Sequence, residues 1–178
     1  DRNLYLINFE IPASWFQSIN PLMIILFGFF VSLFWITLEK KKYVNSSILK
    51  IAVGIIIMGS GFIFMYYASV EADYYGKSSM HWLILAYLFI TIGELCASPV
   101  ILSYITKLSP EKLISSIMGI YFASIGLGNK LAGLIGEYSQ QLGEKIIFLG
   151  ITIICTLVGL IVIISNKKLK KLAHGRYN

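Results

Sequence analysis

The sequence predicts an all-α integral membrane protein with five transmembrane helices. Three observations predict it. The 178 residues are 57% hydrophobic and only 13% charged, against about 25% charged in soluble domains, and the mean hydropathy is +0.75. Five apolar runs each approach the roughly 20 residues that a spanning helix needs. The connections EKKKYVNSS, VEADYYGKSSM, KLSPEK and GEYSQQLGEK are short and polar. None is long enough to be a soluble domain.

The first run covers about 16–38, with Trp15 and Phe16 at one end and Trp35 near the other. Aromatics at such boundaries read as an interfacial belt. Within it, FQSINP sets Gln17, Ser18 and Asn20 just before Pro21. Asn20 offers both a donor and an acceptor. It either holds an amide of a ligand or satisfies backbone groups at an irregularity caused by Pro21. The second run, 48–69, is almost purely aliphatic, aromatic and glycine, as is the fifth, 145–165. Both are expected to face lipid on the outside of a bundle.

The third run, 82–105, carries Glu94. A carboxylate at bilayer depth costs about 2.5–3.5 kcal/mol on insertion scales, so it marks a wet cavity, a partner or a substrate. Ser98 lies four residues on and shares its face, and Tyr87 and Thr91 extend that stripe. Pro99 removes a backbone donor there and lets the helix kink. Such a stripe suits a substrate or proton site and points to transport. The competing reading is a carboxylate paired to a base on a neighbouring helix.

The fourth run, 112–135, opens with Ser109-Pro110-Glu111, which reads as an N-cap followed by a first-turn proline. Gly128, Ala132 and Gly136, and likewise Gly119 and Ala123, repeat every fourth residue. This spacing predicts close helix packing. Tyr121 and Phe122 either wall a pocket or pack, and Lys130 is expected to snorkel outward or pair with an acid. Runs 16–38, 82–105 and 112–135 carry the polar residues and are expected to line something.

Lys40, Lys41, Lys42, Lys50, Lys107 and Lys112 alternate onto one side with the basic tail, 166–178. The acids Glu10, Glu71, Asp73, Glu137 and Glu144 fall on the other. The Lys-rich side is therefore expected to be cytoplasmic, with the C-terminus inside. The tail has the charge to contact anionic lipid or nucleic acid, but it reads better as a positive-inside anchor, and no nucleic-acid partner is expected.

No catalytic motif is present, so no enzyme is expected. Cys96, Cys155, His81 and His174 have no ligand spacing, so no metal site is expected. The sequence opens on Asp1 without a signal-peptide pattern and reads as one that starts mid-protein.

Three ordered motifs, IPASWFQSINP, GELCASPVILSYITKLSPEKL and MGIYFASIGLGNKLAG, resemble the proton-dependent oligopeptide transporters of the major facilitator superfamily. The opening DRN resembles the segment after that family's seventh helix. The resemblance covers nearly the whole chain and makes the five runs helices eight to twelve. It implies proton-coupled di/tripeptide symport across the cell (inner) membrane, driven by the proton gradient without a cofactor. It also implies that Glu94 contacts the peptide amino terminus and takes part in gating, with Ser98 one turn below and Asn20 contacting the peptide. Tyr121 and Phe122 match an aromatic pair, usually Trp-Phe, lining a side-chain pocket, and Tyr121 departs from it. The loop near Lys107 to Lys112 would join two helices of the cytoplasmic gate.

The family's helix-one acidic–basic motif, helix-four lysine and helix-seven proton-linked residues have no counterpart here. An N-terminal transmembrane bundle is therefore an expected partner, and residues 1–178 alone are not expected to transport. Two alternatives stay open: another small solute carried by the same fold, or a non-transporting membrane remnant or interaction subunit.

Overall fold

The computed structural model describes residues 5–6, 9–10, 18–41 and 46–172, with side chains over 18–41, 46–138 and 142–166. The readings placed on DRN, Trp15, Phe16, Gln17, Lys42 and His174, and on the side chains of Glu10 and the tail's basic residues, lie outside these residues.

A two-residue antiparallel pairing, β1 (Tyr5–Leu6) with β2 (Phe9–Glu10), precedes five long helices. The helices are α1 (Ile19–Lys40), α2 (Ser47–Tyr75), α3 (Met80–Leu108), α4 (Ile114–Leu142) and α5 (Glu144–Leu172). All five are long and apolar enough to cross a membrane. Four of them have 29 residues, about 43 Å at 1.5 Å per residue, against an apolar core of about 30 Å. They overrun the apolar sequence runs because the backbone stays helical into the polar boundary. Glycines in the left-handed region end two of them, Gly76 at φ 75° and Gly143 at φ 87°.

The two ends are tied by polar contacts that alternate as the charges do. At the Lys-rich end Lys50 pairs with Glu39 at 2.5 Å, and Ser46 donates to Asn166 at 2.7 Å. At the other end Glu71 accepts from the Ser79 N–H (3.1 Å), the Ser79 hydroxyl (2.5 Å) and the Trp82 indole (2.6 Å). Lys145 pairs there with Asp73.

α2 is the centre of packing, gripped between α3 and α5. This differs from the expectation that run 48–69 simply faces lipid. Lipid tails are as apolar as leucine, so composition does not separate a lipid face from a helix interface. Small residues make the difference. Backbone meets backbone where α2 crosses α3: a Cβ on Gly54 would stand 2.7 Å from the Gly93 carbonyl, and one on Gly93 would stand 2.6 Å from the Gly54 carbonyl. Between α2 and α5 the glycines instead receive side chains, Cys155 against Gly59 and Ile56 against Gly159. α5 keeps an exposed apolar face of Ile153, Leu157, Ile161 and Ile164.

The repeat on α4 behaves differently. No atom of another element lies within 4 Å of where a Cβ would stand on Gly119 or Gly128. Leu127, Leu131 and Tyr138 are exposed on the same helix. Lys130 is exposed as well. Ser109 also departs from its expected role. It closes α3, its hydroxyl donating to the Ile105 carbonyl at 2.6 Å. Pro110 forces extended backbone on the residue before it, and the chain re-enters through a 3-10 turn at Glu111–Leu113.

Trp35 is no belt residue. It is buried among α1, α2 and α3, its indole donating to the Cys96 sulfur at 3.3 Å, with the Lys50 ammonium 5.4 Å above its ring.

Candidate functional site

Where α1 meets α3, three polar side chains converge. The Asn20 amide donates to the Glu94 carboxylate (Nδ2 to Oε2, 3.4 Å), and the Thr91 hydroxyl donates to the other end of the same amide (Oγ1 to Oδ1, 2.5 Å). Asn20 is 71 and 74 residues from its partners. Their meeting is a tertiary event, brought about by α1 lying on α3.

Each position has a local cause. Asn20 and Pro21 lie in the first turn of α1, where proline is tolerated because the first-turn N–H groups have no helical partner. Glu94 directly follows Gly93, the residue whose backbone abuts α2. Successive helical residues are about 100° apart. Gly93 toward α2 therefore turns Glu94 toward α1. Thr91 is fully buried, with relative exposure of 0%, and so needs a partner for its hydroxyl. Asn20 supplies it.

The arrangement has two chemical consequences. A carboxylate held by one neutral amide retains acceptor capacity for a cation, because an ionised carboxylate has about four lone-pair sites. It is not neutralised locally either. No lysine or arginine forms a salt bridge with Glu94 among the described residues. The reading of Glu94 as one half of a structural ion pair finds no partner there.

The other sequence candidates fall into two groups. Ser98 is half-buried one turn beyond Glu94, as its spacing requires. Tyr121 and Phe122 stand together on α4, ring centroids 5.4 Å apart, with Phe122 58% exposed. Among the described residues no hydrogen bond or ring contact joins that pair to Asn20 or Glu94. Tyr87 leaves the stripe. Its ring lines an apolar hollow of about 220 Å³ with Phe62, Met65 and Phe148, toward α2 and α5.

Sequence reading placed Thr91 in the stripe without giving it a role. Its signal was available only as a hydroxyl three residues before a lone carboxylate.

The sequence model of the POT family matches residues 2–161. The peptide transporter YePEPT of Yersinia enterocolitica is 43% identical over 132 residues, covering 73% of this chain and 26% of that protein. A di-/tripeptide transporter of Lactococcus lactis is 30% identical over 92% of this chain and 33% of its own length. Among solved structures, a POT family transporter in complex with 5-aminolevulinic acid superposes with a TM-score of 0.78 at 28% identity, over 94% of this chain and 34% of that one. The chain thus spans between about a quarter and a third of these proteins.

Proposed function

The chain belongs to the POT family of major-facilitator transporters, and we propose that it forms the C-terminal transmembrane part of a proton-coupled di/tripeptide symporter. The observation that carries this reading is the Asn20–Glu94 contact between α1 and α3. It puts a carboxylate and an amide from two spans at one place.

In this reading Glu94, when ionised, binds the ammonium of a peptide amino terminus. Asn20 donates to a peptide carbonyl through its second amide hydrogen. Protonation of Glu94 removes the charge and weakens that grip, which is how proton movement and peptide release become linked. Ser98 completes the polar edge below Glu94. Tyr121 and Phe122 wall the side-chain pocket from α4. Transport needs a second bundle rocking against this one around the site. The peptide carboxylate is then held by residues of that second bundle. The similarity to the Yersinia peptide transporter and the Lactococcus di-/tripeptide transporter supports the substrate class.

The Lys-rich end is assigned to the cytoplasm of the cell membrane, with the C-terminus inside. A C-terminal tag reached only from the cytoplasmic face tests that orientation.

One specific observation favours a second reading. A structural neighbour is in complex with 5-aminolevulinic acid, a small amino acid, and a substrate outside the peptides requires that such free amines compete. The test is uptake of a labelled dipeptide by the transporter that contains this chain. Competition by other dipeptides but not by free amino acids is the expected result. Equal competition by 5-aminolevulinic acid and dipeptides moves the assignment to a broader class of small amines.

A further inference from the structure

The protein has five threonines, at 37, 91, 106, 152 and 156. Four of them donate to the carbonyl four residues back in their own helix: Thr37 to Leu33 (2.8 Å), Thr106 to Leu102 (3.1 Å), Thr152 to Phe148 (3.0 Å) and Thr156 to Thr152 (2.8 Å). That is the ordinary resting place of a helical threonine hydroxyl. Thr152 also reaches the Gly59 carbonyl of α2 at 3.2 Å. Thr91 departs from the pattern in having no bond to the carbonyl four back among the described residues. Its hydroxyl crosses to another helix and donates to Asn20 Oδ1 at 2.5 Å. It is also the fully buried one of the five, while Asn20 at the other end of the bond is half-buried.

A carboxamide has two different ends. With Oδ1 taken by Thr91, the amide nitrogen is the end that faces Glu94, and it does so at 3.4 Å. The opposite orientation would set a carbonyl oxygen against a carboxylate, two acceptors with no hydrogen between them. A hydroxyl can donate or accept, so it is Glu94 that selects which end of Asn20 faces it, and Thr91, by holding Oδ1, fixes the amide in that orientation.

We propose that Thr91 is a positioning residue of the peptide site: its hydroxyl locks the Asn20 carboxamide so that Asn20 acts as a donor toward Glu94 and toward substrate. This rests on the reading of Asn20 and Glu94 as that site. Thr91 itself touches no substrate. Its effect runs through Asn20, and removing it lets the amide rotate out of register.

The test uses the whole transporter reconstituted in vesicles, with four variants: Thr91→Val, Thr91→Ser, Asn20→Ala and the Thr91→Val/Asn20→Ala double. Valine keeps the shape and loses the hydroxyl, and serine restores it. Thr91→Val is expected to raise the KM for a dipeptide by about tenfold, the factor one lost hydrogen bond in a buried site corresponds to. Its maximal rate should stay within about twofold, because the lost interaction is one of binding. Thr91→Ser is expected to match the wild type, and the double variant to be no worse than Asn20→Ala alone. Independent, additive effects, or a wild-type KM in Thr91→Val, would overturn the proposal.

A second readout needs no peptide. The infrared carboxylate band of Glu94, assigned by its disappearance in Glu94→Gln, reports the bond from Asn20. Thr91→Val and Asn20→Ala should shift it alike, and Thr91→Ser should not. An unshifted band in Thr91→Val overturns the lock even if the substrate proves not to be a peptide. Absence of dipeptide uptake in the wild type, with the band shifting as expected, overturns only the substrate reading.

Discussion

Glu71 and Asp73 stand two residues apart near the C-terminal end of α2 and hold the chain in unequal ways. Asp73 makes one pair with Lys145, and both side chains are open to water, at 61% and 36% exposure. An ion pair of that kind contributes little and is screened by salt. Glu71 accepts three hydrogen bonds from the first turn of α3 and so closes the α2–α3 turn. Asp73→Ala should leave the melting temperature of the detergent-solubilised transporter nearly unchanged, while Glu71→Ala should lower it clearly. Equal effects would show that the turn is held by something else. At this scale the sequence was most legible where a residue was alone of its kind. Glu94 stood out as a single carboxylate in an apolar run. Asn20 did not, because its local and ligand readings look the same until α3 is placed beside it. Thr91 was hidden by habit, since a threonine in a helix ordinarily bonds its own backbone.

Helices were legible in number and order because their signal is local: length, hydropathy and polar breaks. Their ends were less so, since helical hydrogen bonding continues past the apolar stretch until Gly76 or Gly143 stops it. Packing was the least legible. Small residues recur on α4, where no atom of another element lies within 4 Å of a Cβ on Gly119 or Gly128, and on α2 and α3, where backbones touch at Gly54 and Gly93. Periodicity gives a face, and only the neighbour decides whether the face is used. The Gly54–Gly93 contact supports a sharp expectation. Gly93→Ala puts a methyl 2.6 Å from both a backbone carbonyl and the Met58 N–H, groups that cannot rotate away. It should cost about 1–3 kcal/mol as an overpacking change and should also displace Glu94, the next residue. Gly76→Ala meets no neighbour and carries only the strain of φ 75°, about 1–2 kcal/mol. Thermal unfolding together with dipeptide KM separates the two: both should lose stability, and Gly93→Ala alone should lose affinity. A normal affinity in Gly93→Ala would mean that the α2–α3 crossing does not set the carboxylate.

On the scale of the whole molecule, the five spans make a bundle fragment with one well-packed side. α2 packs against α3 on one side and α5 on another, while α1 and α4 expose Leu22, Ile25, Phe29, Phe30, Ile120 and Phe122. Composition told of a membrane, and charge alternation told of a topology that the end-to-end pairings repeat. What neither could tell was which apolar faces meet lipid and which meet protein, because the two solvents are chemically alike. The site has the same incompleteness: an amide, a carboxylate and a serine on two helices, with no described cation joined to the carboxylate. The central claim is that Glu94 couples peptide binding to the proton. The most direct test is labelled dipeptide uptake under an inward proton gradient, comparing wild type with Glu94→Gln in the transporter that contains this chain. The account predicts that the glutamine variant loses proton-driven uptake while still reaching the membrane in normal amount. Wild-type proton-driven uptake in that variant would contradict it.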